Sequence, residues 1–335
     1  MSVVLAVDGG NSKTDLALVR DDGGVLAYVR GGMSSPHHIG LDGSVALLQG
    51  LYDEAVEQAG VAGPADVAHV LLAGLDFPTE ERALHDALAA RGWALRLTVG
   101  NDTFAVLRAG TDRPWGVAVV CGYGTNCSGV SPEGRVTRFP AVGPISGDWG
   151  GGSEIGSMAA WYAVRAEDGR GEKTVLQHLV PEYFGLRRPR QLTEAMYFER
   201  IAEERLAELA PLVFQAAMDG DALARDIVNR QADEIVTMAG TAIRRLRMSK
   251  LDVEVVLGGG IFRNRDPSFF ERIREGLLRI APASSIVPLS APPVVGAALI
   301  GLDLVGARPA ARRRLRATLT DERLAPHTRP RRKER

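Results

Sequence analysis

The sequence predicts an α/β protein built from two related halves. Near the N-terminus, a glycine-rich turn at residues 8–14 lies between two apolar runs, Val3–Val7 and Leu16–Val19. About one domain length later, the apolar run Val117–Val120 leads into a second glycine-rich turn at residues 122–126. Because glycine permits the tight turns that join antiparallel strands, each segment predicts a β-hairpin. The duplication indicates two domains of similar design.

Strands and helices alternate between the two hairpins, as expected for an α/β domain. Short apolar runs of strand length are followed by segments in which apolar residues recur with helical spacing. The predicted strands are Val25–Val29, Val67–Ala73 and Leu95–Val99, and the predicted helices are Gly43–Ala59 and Thr79–Ala90. We therefore expect residues 1–112 to form the first domain.

The second half carries a long helical segment between its strands. We expect residues 113–306 to form the second α/β domain, and residues from about 153 to 250 show helical spacing with little strand signal. This segment predicts a helical insertion. The strand Val253–Leu257 then leads into Gly258–Gly260, and the apolar segment Val294–Leu304 predicts a final helix.

Composition and charge favour a globular cytoplasmic protein. The chain has 335 residues, 45% of them hydrophobic and 24% charged, and a formal net charge of −1. Balanced charge gives no general attraction to nucleic acid or to a membrane surface. A secretory leader is not expected, and no apolar stretch approaches the roughly 20 residues that span a bilayer. The two cysteines, Cys121 and Cys127, are too few for a disulfide framework.

The C-terminal residues differ in character from the rest. From residue 307 to residue 335 arginine becomes frequent, as in Arg312–Arg316 and Arg329–Lys333, while apolar periodicity fades. High charge and low apolar content predict a disordered, solvated basic tail. A nucleic-acid-binding arm is the functional alternative.

The glycine-rich turns predict contacts with an anion. Glycine at a turn lets backbone N–H groups approach a ligand closely, and nearby hydroxyl or lysine side chains add donors. We therefore interpret the two turns as phosphate clamps, and a third glycine cluster suits the face of an adenosine. The candidate residues are Gly9, Gly10, Asn11, Ser12, Lys13 and Thr14 in the first turn, Gly122, Gly124 and Thr125 in the second, and Gly258, Gly259, Gly260 and Phe262 in the third. For Lys13, an ordinary exposed turn lysine is the alternative.

Taken in order, these segments resemble the superfamily of acetate and sugar kinases, Hsc70 and actin, and within it the branch of N-acetylglucosamine kinases and BadF/BadG/BcrA/BcrD-type ATPases. The resemblance covers about residues 3–305. It implies two ribonuclease H-like domains of the actin-like ATPase type around a nucleotide cleft, with a helical insertion in the second. The segments that carry it are Asp8–Thr14, Asn101–Asp102, Gly122–Cys127, Gly147–Gly150, Gly258–Gly260 and Pro293–Ala298.

Phosphoryl transfer in such a cleft needs a divalent cation, donors for the phosphates and a carboxylate for the attacking hydroxyl. Asp8 ends the first strand beside the first turn, so it is the candidate to hold Mg²⁺, with capping of the hairpin as the alternative. Asp102 lies where a strand ends and a helix begins, an edge that faces ligands in open α/β sheets. The same position suits a helix N-cap, so the local sequence leaves both roles of Asp102 open.

The resemblance assigns roles to further polar residues. It implies that Asp102 accepts the proton of a sugar hydroxyl, while ATP and Mg²⁺ bind between the halves. Asp148 and Gly147 would lie in the sugar site. Asn126 would bind a sugar hydroxyl, and His37 would lie at the mouth of the cleft. The alternatives are a capped turn for Asp148, a turn-stabilising amide for Asn126 and an ordinary surface histidine for His37.

Departures from the N-acetylglucosamine kinases concern residues that contact the sugar. Pro36 stands where those enzymes commonly carry asparagine, and proline lacks both the side-chain amide and the backbone donor. Val142 stands at the approximate position of their tryptophan, and Ala73 at that of a loop serine. We expect an amino sugar such as N-acetylglucosamine or glucosamine as the acceptor. Another hexose, a muramic-type sugar or a non-sugar hydroxyl is the alternative.

The sequence and the resemblance together predict an ATP- and Mg²⁺-dependent kinase of a small sugar. A partner-coupled ATPase of the BadF/BadG type and a nucleotide-bound sensor are the alternatives. Coupling through an iron–sulfur cluster needs dedicated thiolates, whereas both cysteines lie at the second turn. A homodimer is expected from the resemblance alone, and neither a membrane nor a nucleic-acid partner is expected.

Overall fold

The computed structural model describes residues 1–61 and 63–320. The chain divides into two compact units. Of the described residues, those up to 112 and those from 289 to 320 form the first unit, and residues 113–288 form the second. Each unit has its own mixed β-sheet and its own hydrophobic core. The predicted α/β class is confirmed.

The sheet of the first unit contains the strands β1 (Val3–Gly9), β2 (Thr14–Arg20), β3 (Val25–Gly31), β4 (Ala65–Leu72) and β5 (Ala94–Asn101). Their spatial order is β3-β2-β1-β4-β5. Strands β1 to β3 pair antiparallel, whereas β4 pairs parallel with β1 and β5 pairs parallel with β4. The apolar residues of β1 are buried on both faces, as expected of a central strand. Because β1, β4 and β5 are parallel, their carboxyl ends meet at one edge of the sheet.

The strands of the first sheet alternate with the helices α1 (Pro36–Ala59), α2 (Pro78–Ala89) and α3 (Thr103–Gly110). Proline begins α1 and α2, since its fixed φ suits a helix start and its missing N–H is not needed there. Leu48 of α1 and Leu84 of α2 are fully buried in the core of this unit. Tyr52 stacks on Trp93 with 4.9 Å between ring centroids, which adds a large apolar contact to the same core.

The second unit repeats this sheet. Its strands are β6 (Gly116–Cys121), β7 (Thr125–Val130), β8 (Val136–Arg138), β9 (Glu254–Gly258) and β10 (Ser285–Pro288). Their order is β10-β9-β6-β7-β8, with antiparallel pairing of β6, β7 and β8 and parallel pairing of β6, β9 and β10. The antiparallel strands and the parallel strands therefore follow the same order as in the first sheet. The duplication of glycine-rich turns in the sequence is a duplication of topology.

The helical segment predicted at about residues 153–250 lies between β8 and β9. It contains α4 (Gly151–Asp168), α5 (Leu176–Tyr183), α6 (Pro189–Tyr197), α7 (Ala210–Met218) and α8 (Ala222–Arg245), and α9 (Pro267–Ile280) follows β9. Fully buried Ile155, Leu176 and Phe269 join these helices to the sheet in one core. Among residues 1–61 and 63–320, none of the helices combines the length and the apolar character needed to cross a bilayer.

The C-terminal helices α10 (Pro293–Leu304) and α11 (Pro309–Thr318) belong to the first unit. The prediction that residues up to 306 belong to the second domain is therefore wrong for α10. Its buried side chains pack with Val4 and Ala6 of β1. A helix that is apolar on nearly all sides has no polar face to show which sheet it covers. This explains why the sequence did not identify its partner.

Helix α11 corrects a second prediction, that the residues from 307 onward form a disordered tail. Leu315 of α11 is fully buried. Arg316 donates hydrogen bonds to the carbonyl oxygens of Arg108, Ala109 and Thr111, at 2.6 to 3.1 Å. These carbonyls lie at the C-terminal end of α3, where a cation is favoured. An arginine that suggested disorder thus caps a helix, while residues 321–335 lie outside the described part of the chain.

We expect the substitution Gly296→Ala in α10 to destabilise the protein by about 3 kcal/mol. Helix α10 approaches α3 so closely that a Cβ at Gly296 would lie 1.9 Å from Ala105 O and 2.7 Å from Ala109 N. Backbone atoms cannot move aside as a flexible side chain does, so the helices must separate and lose buried contacts. Urea unfolding of the variant measures this loss.

Gly50→Ala in α1 is the matched control for this substitution. A Cβ at Gly50 would meet no atom of the described chain within 4 Å. We expect this variant to gain about 0.5–1 kcal/mol, because alanine has the higher helix propensity. Equal effects of the two substitutions would contradict the close approach of α10 to α3.

Candidate active site

Three carboxylates lie at or just beyond the C-terminal ends of the three parallel strands of the first sheet. Asp8 lies near the end of β1, Asp76 follows β4, and Asp102 follows β5. The Asp102 amide donates a hydrogen bond to Leu72 O at 3.2 Å, which ties the end of β5 to the end of β4. Helix α3 begins at the next residue. The edge where ligands bind in open α/β sheets is therefore acidic in this unit.

Burial and mutual repulsion change the acidity of two of these groups. The pKa of Asp8 is raised to about 8, mainly by burial and then by the charge of Asp102, while Lys13 and Arg30 oppose the shift. The pKa of Asp102 is raised to about 7, mainly by burial and then by the charge of Asp76. Carboxylates that share a poorly solvated edge resist ionising together. A cation bound there would favour their ionised forms.

Asn101, rather than Asp102, caps helix α3. Asn101 Oδ1 accepts hydrogen bonds from the amide and the hydroxyl of Thr103, at 3.1 and 2.7 Å. Asn101 Nδ2 donates to Leu75 O at 3.3 Å and to Asp76 Oδ1 at 3.1 Å. Among the described residues, the Asp102 side chain makes no capping hydrogen bond of good geometry, although the nearby amides of Thr103 and of Asp102 itself partly oppose the rise of its pKa. The capping role that the sequence left open for Asp102 is thus filled by its neighbour.

The first glycine-rich turn is narrow and closely packed. Gly10 N donates to Lys13 O at 2.8 Å, which closes the turn between β1 and β2. A Cβ at Gly9 would lie 2.1 Å from Ser34 Oγ, so a side chain does not fit there. Residues 11 and 12, at the tip of the turn, are exposed. The turn therefore offers both backbone and side-chain groups at its exposed tip.

Lys13 and Thr14 have protein partners in the structure. The Thr14 hydroxyl donates to Gly32 O at 2.7 Å. The Lys13 ammonium pairs with the buried carboxylate of Asp15, which also binds Arg30 Nε at 2.6 Å. Burial opposes ionisation of Asp15, but the hydrogen bonds from Arg30 and Lys13 hold its pKa below the usual value. Phosphate binding by Lys13 stays a prediction. It requires the Lys13 ammonium either to bind the phosphate and Asp15 together or to break its ion pair with Asp15.

The second glycine-rich turn is attached to the start of α4. The Gly152 amide donates a hydrogen bond to Gly122 O at 2.8 Å, and the Ser153 amide donates one to Tyr123 O at 3.0 Å. The amide of Gly151 donates to Gln231 Oε1 at 2.7 Å. The first amides of α4 therefore bind protein oxygens. A phosphate bound in this region would therefore need other hydrogen-bond donors than the first amides of α4, such as the backbone amides of the second glycine-rich turn.

Gln231 is a site residue that the sequence analysis missed. It is fully buried on α8, and a Cβ at Gly150 would lie 2.7 Å from both Gln231 Oε1 and Thr125 Oγ1. Gly150 has φ 129°, which side chains rarely allow. Gln231 thus fixes the start of α4 against the second turn. A single glutamine inside a long helical pattern carries no signal of such a contact.

A cavity of about 240 Å³ lies beside the second turn, within the second unit. It brings together three predicted site residues, Gly124, Thr125 and Asp148. Val142 and Trp149 also line it. The predicted phosphate turn and one predicted sugar residue therefore share one cavity.

Two residues predicted to belong to the sugar site, Asn126 and Gly147, are not among the described residues that line this cavity. Asn126 Oδ1 accepts a hydrogen bond from the Cys127 amide at 2.7 Å, as expected of a turn-stabilising asparagine. Gly147 ends a short 3₁₀ turn, and its own φ is 81°. Next to it, the Asp148 carboxylate accepts a hydrogen bond from the Ser146 hydroxyl.

The third glycine cluster, Gly258–Gly260, begins with the buried last residue of β9. The chain turns at Gly259 with φ 102°, and a Cβ there would lie 2.2 Å from Cys121 O. Phe262 is partly buried and packs on the core, with its ring centroid 6.2 Å from that of Phe269. Contact of this segment with an adenosine stays a prediction.

His37 lies in the first turn of α1 and contacts α2. Its Nε2 is 3.0 Å from Glu80 Oε1, and 42% of its side chain is exposed. Neither Glu80 nor Asp76 was singled out from the sequence as a site residue. Asp76 follows a strand in the way Asp102 does, and this shared pattern is a signal that could have identified it. Glu80 becomes a neighbour of His37 only through the fold.

Similarity to known proteins extends over nearly the whole chain. A sequence profile of the BadF/BadG/BcrA/BcrD ATPase family matches residues 5–301. The N-acetylmuramic acid/N-acetylglucosamine kinase of Clostridium acetobutylicum is 27% identical over 301 residues, which cover 90% of this chain and 98% of the relative. The N-acetyl-D-glucosamine kinase of Dictyostelium discoideum is 26% identical over 317 residues, with the same shares.

A solved structure has the same fold. A candidate N-acetylglucosamine kinase of Chromobacterium violaceum superposes with a TM-score of 0.69 at 24% identity, over 90% of this chain and 99% of that one. The ROK family hexokinase of Thermus thermophilus superposes with a TM-score of 0.53 at 20% identity, over 91% of this chain and 99% of that one. The fold expected from the resemblance is confirmed.

Proposed function

We propose, from the premise that this chain belongs to the BadF/BadG/BcrA/BcrD ATPase family, that it is an ATP-dependent kinase which phosphorylates a hydroxyl group of a small amino sugar. Both curated relatives are named as kinases of N-acetylglucosamine, and the similarity covers nearly all of their length. The observation that carries the proposal is Asp102, a carboxylate with a raised pKa at an acidic sheet edge, next to an asparagine that caps the helix in its place. These properties suit a general base.

In the proposed reaction, Asp102 accepts the proton of the sugar hydroxyl. The hydroxyl oxygen forms a bond to the γ-phosphorus of ATP, and the bond from that phosphorus to the β–γ bridging oxygen breaks to release ADP. Asp8 is the proposed ligand of Mg²⁺, because its carboxylate is of the ligand type that Mg²⁺ prefers and its burial beside Asp102 favours a cation. Bound Mg²⁺ would neutralise charge on the phosphates.

The remaining predicted contacts keep their roles within this proposal. The two glycine-rich turns are the proposed contacts of the ATP phosphates, and Gly258–Gly260 is the proposed contact of its adenosine. Asp148 is a proposed contact of the sugar, supported by the cavity that it lines with Thr125. The homodimer and the cytoplasmic location remain predictions from the family resemblance.

Coupling of ATP hydrolysis to electron transfer in a partner receives no support from the cysteines. Cys121 and Cys127 are both fully buried. Burial raises the pKa of Cys121 to about 12, whereas the ligands of an iron–sulfur cluster are thiolates. Neither side chain is therefore suited to hold a cluster at a protein surface.

ADP release from ATP and Mg²⁺, measured across a panel of acceptors, tests the proposed function. The panel contains glucosamine, N-acetylglucosamine, N-acetylmuramic acid, glucose, other hexoses and a sample without acceptor. We expect an amino sugar to stimulate ADP release well above the sample without acceptor. Hydrolysis that no acceptor stimulates, or no turnover in any sample, would overturn the sugar kinase and favour a partner-coupled ATPase or a sensor.

A further inference from the structure

His37, Asp76 and Glu80 form a compact polar group, and the charge of its member Asp76 acts on Asp102. One potential ligand atom from each of the three lies within 4.8 Å of the other two. The side chains of His37 and Glu80 are 42% and 31% exposed, whereas Asp76 is buried. The group therefore extends from the surface inward to the neighbour of the candidate base.

Both carboxylates of this group are held in place by other parts of the first unit. Glu80 Oε2 accepts hydrogen bonds from the amides of Asp76 and Phe77, at 2.8 and 2.9 Å, while Oε1 faces His37. Asp76 Oδ1 accepts from Asn101 Nδ2 at 3.1 Å. Groups fixed in this way need little reordering when a ligand binds.

Ser35 adds an independent sign that a ligand belongs here. It stands at the N-cap position of α1, yet its hydroxyl makes no capping hydrogen bond. Ser35 Oγ is buried and has no hydrogen-bond partner in the described part of the chain. A Cβ at Gly74 would lie 2.6 Å from Ser35 Oγ and 3.2 Å from His37 Cγ, so hydroxyl and imidazole lie over the same face of Gly74. An unpaired buried hydroxyl is costly, which points to a partner supplied from outside.

The chemistry of the group favours an ammonium as that partner. Asp76 and Glu80 supply carboxylate oxygens and Ser35 supplies a hydroxyl oxygen, all of which accept hydrogen bonds. A divalent metal would need the lone pair of His37 Nε2 as a ligand, whereas an ammonium can donate to the one lone pair that Glu80 keeps beside its contacts with His37 and the two amides. The negative charge of Asp76, which raises the pKa of Asp102, is offset by the same ammonium.

We propose that Ser35, Asp76 and Glu80 bind the ammonium group of the acceptor, which makes the substrate a free, unacetylated amino sugar. This inference rests on the proposed function. His37 orients Glu80, and Asn101 orients Asp76. N-acetylation removes the charge and two of the three N–H donors, and it places a carbonyl oxygen beside two carboxylates. The site therefore rejects N-acetylglucosamine, by about 100-fold relative to glucosamine.

The kinetic test compares kcat/KM for glucosamine, N-acetylglucosamine and glucose in the wild type, Asp76→Asn and Ser35→Ala. We expect the wild type to prefer glucosamine over both other sugars. In each variant, the ratio of kcat/KM for glucosamine to that for glucose should fall at least about tenfold. The ratio cancels any loss that acts through Asp102, because such a loss affects both sugars. Glu54→Gln, an exposed acidic position on α1, is the control and should keep the wild-type ratio.

A binding test covers the case in which one variant does not fold or no sugar is turned over. Calorimetry should detect glucosamine binding to the wild type, and the Ser35→Ala variant should weaken it. If no sugar is phosphorylated, the proposed function fails, and selective binding of glucosamine still decides the subsite. Equal or better use of N-acetylglucosamine, or absence of selective binding, would overturn the ammonium subsite while leaving a sugar kinase intact. Binding of Zn²⁺ or Mg²⁺ alone that Asp76→Asn abolishes would overturn it in favour of a metal site.

Discussion

The substitution Asp102→Asn is expected to lower kcat by about 10²–10⁴-fold, the usual contribution of a general base. Asparagine keeps the size of the side chain and can still cap a helix, but it cannot accept the proton of the sugar hydroxyl. Since Asn101 already caps α3, the variant should fold, and from about pH 7 upward it should be at least as stable as the wild type, because the raised pKa of Asp102 means that its ionisation costs stability. Affinity for ATP, measured by calorimetry, should stay within about threefold, because a lost proton acceptor affects the transition state more than nucleotide binding.

The pH profile gives a second readout for Asp102. Burial and the charge of Asp76 raise its pKa to about 7 in the protein without ligands. Only the ionised form accepts a proton, so kcat/KM of the wild type should rise as the pH increases through about 7. Asp42→Asn, the same change at an exposed position of α1, is the control and should keep both turnover and the profile. Wild-type turnover with an unchanged pH profile in Asp102→Asn would show that Asp102 is not the base and would leave it a structural role, which asparagine fills about as well as aspartate.

The two hairpins were predictable because their signals are local, whereas the short edge strands β8 and β10 were not predicted. In each hairpin, a glycine-rich turn between apolar runs specifies two neighbouring strands, and both β1–β2 and β6–β7 form as predicted. The candidate residues Asp8 and Asp102 were also accessible from the sequence, because a polar residue at the end of an apolar strand lies at the edge of a sheet.

Contacts between distant segments could not be predicted in the same way. Helix α10 is apolar on nearly all sides, so its pattern shows that it is buried but not against which sheet. Arg316 belongs to an arginine-rich segment whose composition is typical of disorder, yet its guanidinium finds the carbonyl oxygens at the end of α3. Gln231, Ser35 and Glu80 likewise gain their importance only from neighbours that are far away in the sequence.

The substitution Asp8→Asn is expected to lower kcat at least about 100-fold while making the metal-free protein more stable at high pH. The pKa of Asp8 is near 3.8 when the chain is unfolded and about 8 when it is folded. Between these values the folded state binds the proton more tightly, so this group's contribution to stability is present at low pH and is lost as the pH rises through about 8. Asparagine removes that loss. Because Asp8 is only partly shielded from solvent, we expect a gain of about 2 kcal/mol at pH 9 rather than the full linkage value.

Urea unfolding at pH 5, 7 and 9, with and without Mg²⁺, separates a metal ligand from a structural carboxylate at Asp8. The stability difference between Asp8→Asn and the wild type should grow with pH, whereas Asp42→Asn should show no such trend. Added Mg²⁺ should stabilise the wild type, since a ligand that binds only the folded state favours it, and it should stabilise Asp8→Asn less. A variant that is less stable at every pH, with unchanged turnover, would mean that Asp8 supports the hairpin instead. If Asp8 destabilises the folded chain and is still needed for turnover, its role is to bind a ligand such as Mg²⁺, because folding alone would favour an asparagine at this position.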